Sequence, residues 1–572
     1  MESTRACKNC AKNFTIDPDD VSFYEKMQVP SPTFCPKCRR IRRLLWLNDV
    51  TLFTRECKLC AKKFFSIYES GNAPEVLCPK CFFGNEFNPE SYSLEYDPSI
   101  PFFGQFDRLF KSMPKLGVIS DDGIGSTNCL YANDIAFSKN CILCFVAWRM
   151  ENCFYCGYIN GGKDMCDVHG CNEPSELIYE GVVIDAMARS KYVYWCASGT
   201  DCLFGYDLRG CTDCFMCFGL RNKRYYFKNE KYPKEEYEKI VTSYKLNTRT
   251  GIKKAQAEFT DFLRKCPRKF AELRNCTNCT GTEMIRSKNT KDGHFASFSE
   301  DSRYCNNGVA FKTCYDCSGG GETELAYECV TPDQSYNSLC TILSWKNRNV
   351  SYSIDSHSSE ELFGCAGIKS GHYMILNKRY EKEDYFKLKE KIIADMKKNG
   401  EWGEFFPIQN SPFAINETWA NDRLGLSREE ALKAGFKWQD HLQETRGKGT
   451  LEQSLVPDAI ENVTDDILEE ILTCTDCSRN YKILAAEFTF YKKSHVPIPD
   501  RCFFCRMAER ENMRGGFDLC SRECDCRESG HEHPESSSGQ VPGKCTVVFK
   551  TCFTEKEVRP IYCEQCYLKV LD

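Results

Sequence analysis

No run of about twenty apolar residues occurs in this chain of 572 residues, so it offers no segment suited to cross a bilayer as a helix. The opening, Met-Glu-Ser-Thr-Arg-Ala-Cys-Lys-Asn-Cys, lacks the apolar stretch of an export signal. Excess positive charge is missing as well. The net charge is −5, so nucleic acid could be held only by a local patch. Marks of common enzyme chemistry are absent: there is no His-Glu-x-x-His, no Gly-x-Ser-x-Gly and no phosphate-binding glycine loop. A ferredoxin-type cysteine run is lacking too. These absences lead us to expect a soluble, cytoplasmic non-enzyme with no membrane and no small-molecule substrate.

Cysteine, by contrast, is abundant: forty residues, far above ordinary usage. A chain of this length does not need cross-links merely for want of a core. Where thiols stay reduced, close cysteine pairs point to metal. Four Cys-x-x-Cys pairs open the chain: Cys7/Cys10, Cys35/Cys38, Cys57/Cys60 and Cys78/Cys81. Residues 396–470 contain no cysteine, and pairs resume at Cys474/Cys477 and Cys502/Cys505.

Comparing the chain with itself shows duplication. A shift of 467 carries Cys7, Cys10, Cys35 and Cys38 onto Cys474, Cys477, Cys502 and Cys505 without a gap. The same shift places Phe23-Tyr24 on Phe490-Tyr491 and Val29-Pro30 on Val496-Pro497. It also carries Cys57 onto Cys524. Cys60, Cys78 and Cys81 match Cys545, Cys563 and Cys566 only after an insertion of 18 residues, rich in Gly, Ser and His, which suits an exposed loop. The middle is duplicated at a shift of 148: Cys217, Tyr225, Asn229 and Tyr237 fall on Cys365, Tyr373, Asn377 and Tyr385. Asn-Cys recurs at 128–129, 140–141 and 152–153, every twelve residues. Such punctuation suggests the rungs of a β-solenoid, whose small residues stack inside.

The expected architecture is mainly β and multidomain, with paired zinc ribbons at each end of a duplicated cysteine-rich middle and a few short helices. One ribbon spans 1–50, and a second with its connector spans 51–115. Two β repeats occupy 116–250 and 251–395, and a linker with short helices covers 396–470. The third ribbon lies at 471–515 and the fourth, with the insertion, at 516–572.

Zinc accepts four thiolates tetrahedrally at about 2.3 Å each. Two residues between cysteines let a tight turn aim both sulfurs at one ion, and a hairpin brings back a second pair. Pro36 and Pro79 fix φ inside the second turns of the first two ribbons. We therefore expect three to four Zn2+ ions. For the fourth site Pro542 stands where a local first cysteine would be, so Cys524 or its rival Cys526 joins Cys545, Cys563 and Cys566; His531 and His533 are weaker candidates. The central cysteines read first as small buried packing residues. The sharper reading makes Cys141/Cys144, Cys153/Cys156, Cys211/Cys214/Cys217, Cys276/Cys279 and Cys314/Cys317 further metal sites.

Cys-Pro-Lys-Cys-Arg-Arg-Ile-Arg-Arg at 35–43, Gly-Glu-Trp-Gly-Glu-Phe-Phe-Pro at 400–407, Phe-Tyr-Lys-Lys with Val-Pro-Ile-Pro at 490–499 and Ile-Tyr-Cys-Glu-Gln-Cys-Tyr at 561–567 carry a resemblance. Over nearly its whole length the chain resembles a multi-zinc-ribbon, cysteine-rich family of candidate-phyla-radiation bacteria. Members are sometimes labelled CaiB/BaiF-like, which means acyl-CoA transferase. The chain has neither the α/β pattern nor the placed carboxylate nucleophile for that label. The resemblance implies zinc and modularity and supplies no activity.

Arg39, Arg40, Arg42 and Arg43 precede Leu44-Leu45-Trp46, and residues 1–65 hold 13 Lys/Arg against 7 Asp/Glu, a balance of +6. Clustered arginines can neutralise phosphates, and Trp46 could stack on unpaired bases, which points to RNA or single-stranded DNA. The bland alternative is a helix face packing on the next ribbon. Two functions stand: a nucleic-acid or ribonucleoprotein binding factor, or a zinc-stabilised protein-interaction scaffold.

Overall fold

The computed structural model describes residues 3–119, 126–442, 444–527 and 545–571; the insertion bearing His531 and His533 lies outside them. Two compact units emerge, each assembled from two separated stretches of chain. One joins Met1–Asp122 to Ala271–Leu442, the other Gly123–Phe270 to Gln443–Asp572. The first two ribbons thus belong with the second copy of the middle, and the last two with the first copy. Among the described residues no helix is long and apolar enough to cross a membrane.

Within each unit the middle segment winds into parallel coils of twelve residues. In the second unit Asn133 pairs with Phe145, Phe145 with Gly157, Lys191 with Leu203 and Leu203 with Phe215. In the first, Tyr336 pairs with Arg348, Arg348 with Glu360 and Glu360 with His372. One coil of the second unit carries an extra residue, so Ser175 faces Gly162.

Every third residue turns a corner. Asn128, Tyr131, Asp134, Phe137 and Asn140 all have φ between 52° and 54°, and the residue after each corner belongs to the interior, as with Ile135 and Cys141. For an L-residue the left-handed region costs about 1–2 kcal/mol, least for Asn and Asp. Backbone bonds between coils offset this: the Leu130 N–H donates to the Cys141 carbonyl at 2.8 Å and the Asn140 N–H to that of Thr127 at 2.9 Å. An amide ladder adds to them, Asn128 donating to Asn140 and Asn140 to Asn152, each at 3.0 Å. The Asn-Cys recurrence is therefore one full coil, with Asn at the corner and Cys inside.

So narrow a coil admits small side chains, and the cysteines behave as larger serines. The Cys144 thiol reaches the Ile142 carbonyl at 3.5 Å and the Cys153 carbonyl at 3.3 Å, two residues back and nine ahead. Ser287 does the same, with Ile285 at 3.2 Å and Ala296 at 3.1 Å. The two copies end alike. Asn229 brackets the backbone of Phe218, accepting at 2.9 Å and donating at 2.7 Å, and Asn377 brackets Ala366 at 2.8 and 2.9 Å. A helix follows in both copies, Lys234–Ser243 and Lys382–Asn399.

Candidate metal centres

Each ribbon contains a short antiparallel hairpin; in the first three its turn holds a cysteine pair, and in the fourth Cys524 follows one strand and Cys545 precedes the other. In the first, Ser3–Ala6 pairs with Asn13–Ile16, and the Cys7 N–H donates to the Lys12 carbonyl at 2.9 Å. The residue after the second cysteine sits in the left-handed region in three ribbons: Ala11, Ala61 and Ser478 have φ of 59°, 57° and 60°. The second pair begins a helix. Cys35, Cys78 and Cys502 are the N-caps of Pro36–Leu44, Pro79–Phe83 and Phe503–Arg514, and Cys563 precedes Glu564–Leu571. Free N–H groups at a helix start favour a thiolate there.

Hairpin and helix bring four sulfurs together in four places among the described residues. The sets are Cys7, Cys10, Cys35 and Cys38; Cys57, Cys60, Cys78 and Cys81; Cys474, Cys477, Cys502 and Cys505; and Cys524, Cys545, Cys563 and Cys566, with all ligand atoms of a set within 4.8 Å of one another. Five sulfur pairs within these sets stand 3.7–3.9 Å apart: Cys10 to Cys35, Cys60 to Cys78, Cys474 to Cys505, Cys477 to Cys502 and Cys545 to Cys563. A zinc–sulfur bond of about 2.3 Å gives a tetrahedron with edges of about 3.8 Å, whereas a disulfide would need about 2.05 Å. None of the forty cysteines is in a disulfide. The spacing fits a tetrahedral metal.

Backbone donors surround these sulfurs. The Cys35 N–H points at Cys7 Sγ at 3.2 Å, the Cys78 N–H at Cys57 Sγ at 3.4 Å and the Cys563 N–H at Cys524 Sγ at 3.2 Å. The Cys38 thiol, donating to Cys35, brings that thiol down to about 5. Burial opposes ionisation of Cys57 and Cys474, yet backbone N–H groups outweigh it and bring both to about 7. Their neighbours move the other way. Cys38 is raised above all by its bond to Cys35, and Cys81 and Cys505 above all by burial. Several negative sulfurs this close repel, and a divalent cation is what lets them coexist.

At the fourth centre Cys524, opposite Val547 in the hairpin, takes the place that Cys7 has in the first. Cys526 lies buried beside the set, its carbonyl accepting from the Cys545 N–H at 3.1 Å. No central cysteine joins a comparable set among the described residues. Cys141, Cys144, Cys153 and Cys156 are coil interior, as are Cys211, Cys214, Cys217, Cys314 and Cys317, with Cys276 and Cys279 packed against it.

The arginine patch needs correction. Arg39, Arg42, Arg43 and Trp46 are 1, 5, 0 and 3 % exposed. The helix Pro36–Leu44 lies on the coil strands Lys312–Ser318 and Glu324–Val330. Arg39 meets Asp316 at 2.8 Å, Arg42 meets Glu328 at 2.7 Å and Glu404 at 3.0 Å, and Arg43 meets Asp316 at 2.9 Å and Glu328 at 3.2 Å. Trp46 packs against Phe110 and Phe406. Arg40 alone of the five is half-buried. The expected phosphate-binding surface of Arg39, Arg40, Arg42, Arg43 and Trp46 is thus mostly interior, its charge cancelled by carboxylates of the same unit.

The third ribbon repeats this in its own unit. Arg506 and Arg510, at the places of Arg39 and Arg43, meet Asp167 at 2.9 and 2.8 Å, and Arg510 meets Glu180 at 3.3 Å. Even a backbone contact recurs: Arg39 donates to the Phe34 carbonyl at 2.7 Å and Arg506 to that of Arg501 at 2.6 Å. The acidic partners escaped the sequence reading. Their signal was that Arg39 and Arg43 recur in the duplicated ribbon while Arg42 does not, and that Tyr327-Glu328 recurs as Tyr179-Glu180 in the duplicated middle. A search with protein-family models and a search of curated proteins returned no match to this chain.

Proposed function

We propose that the chain is a non-enzymatic zinc protein, an interaction scaffold in which four tetra-cysteine centres fasten ribbons onto parallel-coil platforms. The supporting observation is the completeness of the centres. Each takes two sulfurs from a hairpin and two from a helix start, or from the residues just before and within it. Four protein thiolates leave zinc no open position at which to activate water, which is the structural pattern and not the catalytic one. The borderline-soft thiolate set favours zinc over magnesium, calcium or manganese.

The nucleic-acid reading loses its carrier once Arg39, Arg42 and Arg43 are spent on Asp316, Glu328 and Glu404. Fluorescence anisotropy with single-stranded RNA and DNA tests the choice. A scaffold shows no saturable binding at about 50 mM salt; tight binding that falls steeply toward about 200 mM would reverse the assignment.

A further inference from the structure

The two units repeat one another closely enough for a missing part to be informative. In the first unit the Arg42 guanidinium fills the space between Glu328 and Glu404, at 2.7 and 3.0 Å. The Glu404 carbonyl accepts from the Cys340 thiol at 3.6 Å, and Phe405 lies against Arg42. The residue corresponding to Arg42 at the ribbon shift of 467 is Glu509. Those corresponding to Tyr327, Glu328 and Cys340 at the coil shift of 148 are Tyr179, Glu180 and Tyr192.

Where the first unit holds the Arg42 guanidinium, the second holds a cavity of about 280 Å³, lined among others by Tyr179, Glu180, Tyr192, Tyr194, Gln256 and Glu509. The cations on its wall are already engaged. Arg506 is held by Asp167 at 2.9 Å, Lys253 by Asp500 at 2.6 Å, and Arg501 by Glu509 and by Asp476 at 3.6 Å. Arg249 donates to the carbonyls of Gln453 and Val456. Glu180 keeps one ion-pair partner, Arg510 at 3.3 Å, where Glu328 has Arg42 and Arg43 close by. Burial pushes the Glu180 carboxyl up to about 7 against the pull of Arg510. The hydroxyls of Tyr179, Tyr192 and Tyr194 bond to no described residue. Glu180, paired on the Arg510 side, and the tyrosine hydroxyls face a place that lacks the donor Arg42 supplies in the first unit, while Glu509 is held by Arg501.

We propose that this cavity binds an alkylguanidinium or alkylammonium ion, its cationic head standing where Arg42 stands in the first unit, against Glu180 and Glu509. The phenolic oxygens take the remaining N–H bonds, and the rings favour a cation further. The ligand is either a free diamine-type molecule or the end of an arginine or lysine side chain of a partner. The site does not depend on the scaffold role.

Calorimetric titration of the full zinc-loaded chain with agmatine, and separately with a capped peptide carrying one internal arginine, tests this. Saturable heat with agmatine alone assigns a small-molecule site, and saturable heat with the peptide a side-chain site. Glu509→Arg places a guanidinium in the cavity from within and abolishes binding of both. Tyr192→Phe keeps the packing and weakens binding about 10- to 150-fold, the worth of one hydrogen bond to a charged group. No saturable heat from either probe up to about 10 mM, or undiminished binding by Glu509→Arg together with Tyr192→Phe, overturns the proposal.

Discussion

Arg43 Nη1 lies 2.9 Å from Asp316 Oδ1, and neither side chain has any exposure to solvent. Two charges taken out of water gain little as a pair over apolar residues of the same size, yet removing one leaves the other buried and uncompensated. Arg43→Ala leaves Asp316 to Arg39 and Glu328 to Arg42, one buried negative charge in excess, and is therefore expected to lower the stability of the first unit by about 3–5 kcal/mol, read from the urea midpoint. Arg510→Ala, which leaves Arg506 alone to balance Asp167 and takes the ion-pair partner from Glu180, should do the same to the second unit. A change below about 1 kcal/mol would mean that the ribbons are not anchored this way.

The metal centres and the central cysteines separate by counting. Cys35→Ser removes one ligand of the first centre and should leave the chain about one zinc short. Cys144→Ser should leave the metal content unchanged, because serine satisfies the same two carbonyls at equivalent coil positions. Its cost should stay within about 2 kcal/mol, as for other near-isosteric interior changes. Metal lost from the Cys144→Ser chain would assign the coil interior a ligand role.

Much of this was legible in the sequence, and where it failed the reason is physical. Paired cysteines with a constant spacer carry their own geometry, so Cys7 to Cys38 and Cys474 to Cys505 could be matched residue by residue. The twelve-residue recurrence of Asn-Cys held a finer period of three, hidden because Tyr131, Asp134 and Phe137 turn the same corners as Asn128 without resembling it. Arg39, Arg42 and Arg43 were misread because a run of arginines looks identical whether phosphates or distant carboxylates neutralise it. Asp316 and Glu328 lie more than 270 residues away in the chain. A single sequence gives no sign that they meet.

Chelation offers a third test. Trp46 is buried between Phe110 and Phe406 at the end of the helix that begins at Cys35 and Cys38. Stripping zinc with a strong chelator should release that helix, shift tryptophan emission to the red and open the first ribbon to protease. Trp46→Phe should remove part of the shift. Emission that stays put after complete metal loss would show that the ribbon holds its place without the ion.

Acid should weaken the first unit through His357. The ring is buried, stacked on Trp345 at 3.7 Å and close to Phe83. Burial lowers its titration to about 3, with Lys369 acting in the same direction. The unfolded chain binds a proton near pH 6.5 and the folded one does not until about 3, so stability rises with pH across that window and is lost as pH falls. The contribution is at most about 1.4 kcal/mol per pH unit. Comparing wild type with His357→Phe between about pH 5 and 6.5 isolates it from acid loss of zinc, since only the wild type should carry the extra slope. Parallel slopes would contradict a buried neutral imidazole.

Elemental analysis of the full chain, purified without oxygen and read beside its absorption spectrum, bears most directly on the four centres. Four zinc atoms per chain with no visible colour is the expected result. A compact chain with no metal, or one carrying iron and visible absorption, would contradict the assignment of Cys7, Cys57, Cys474, Cys524 and their partners as closed structural zinc sites.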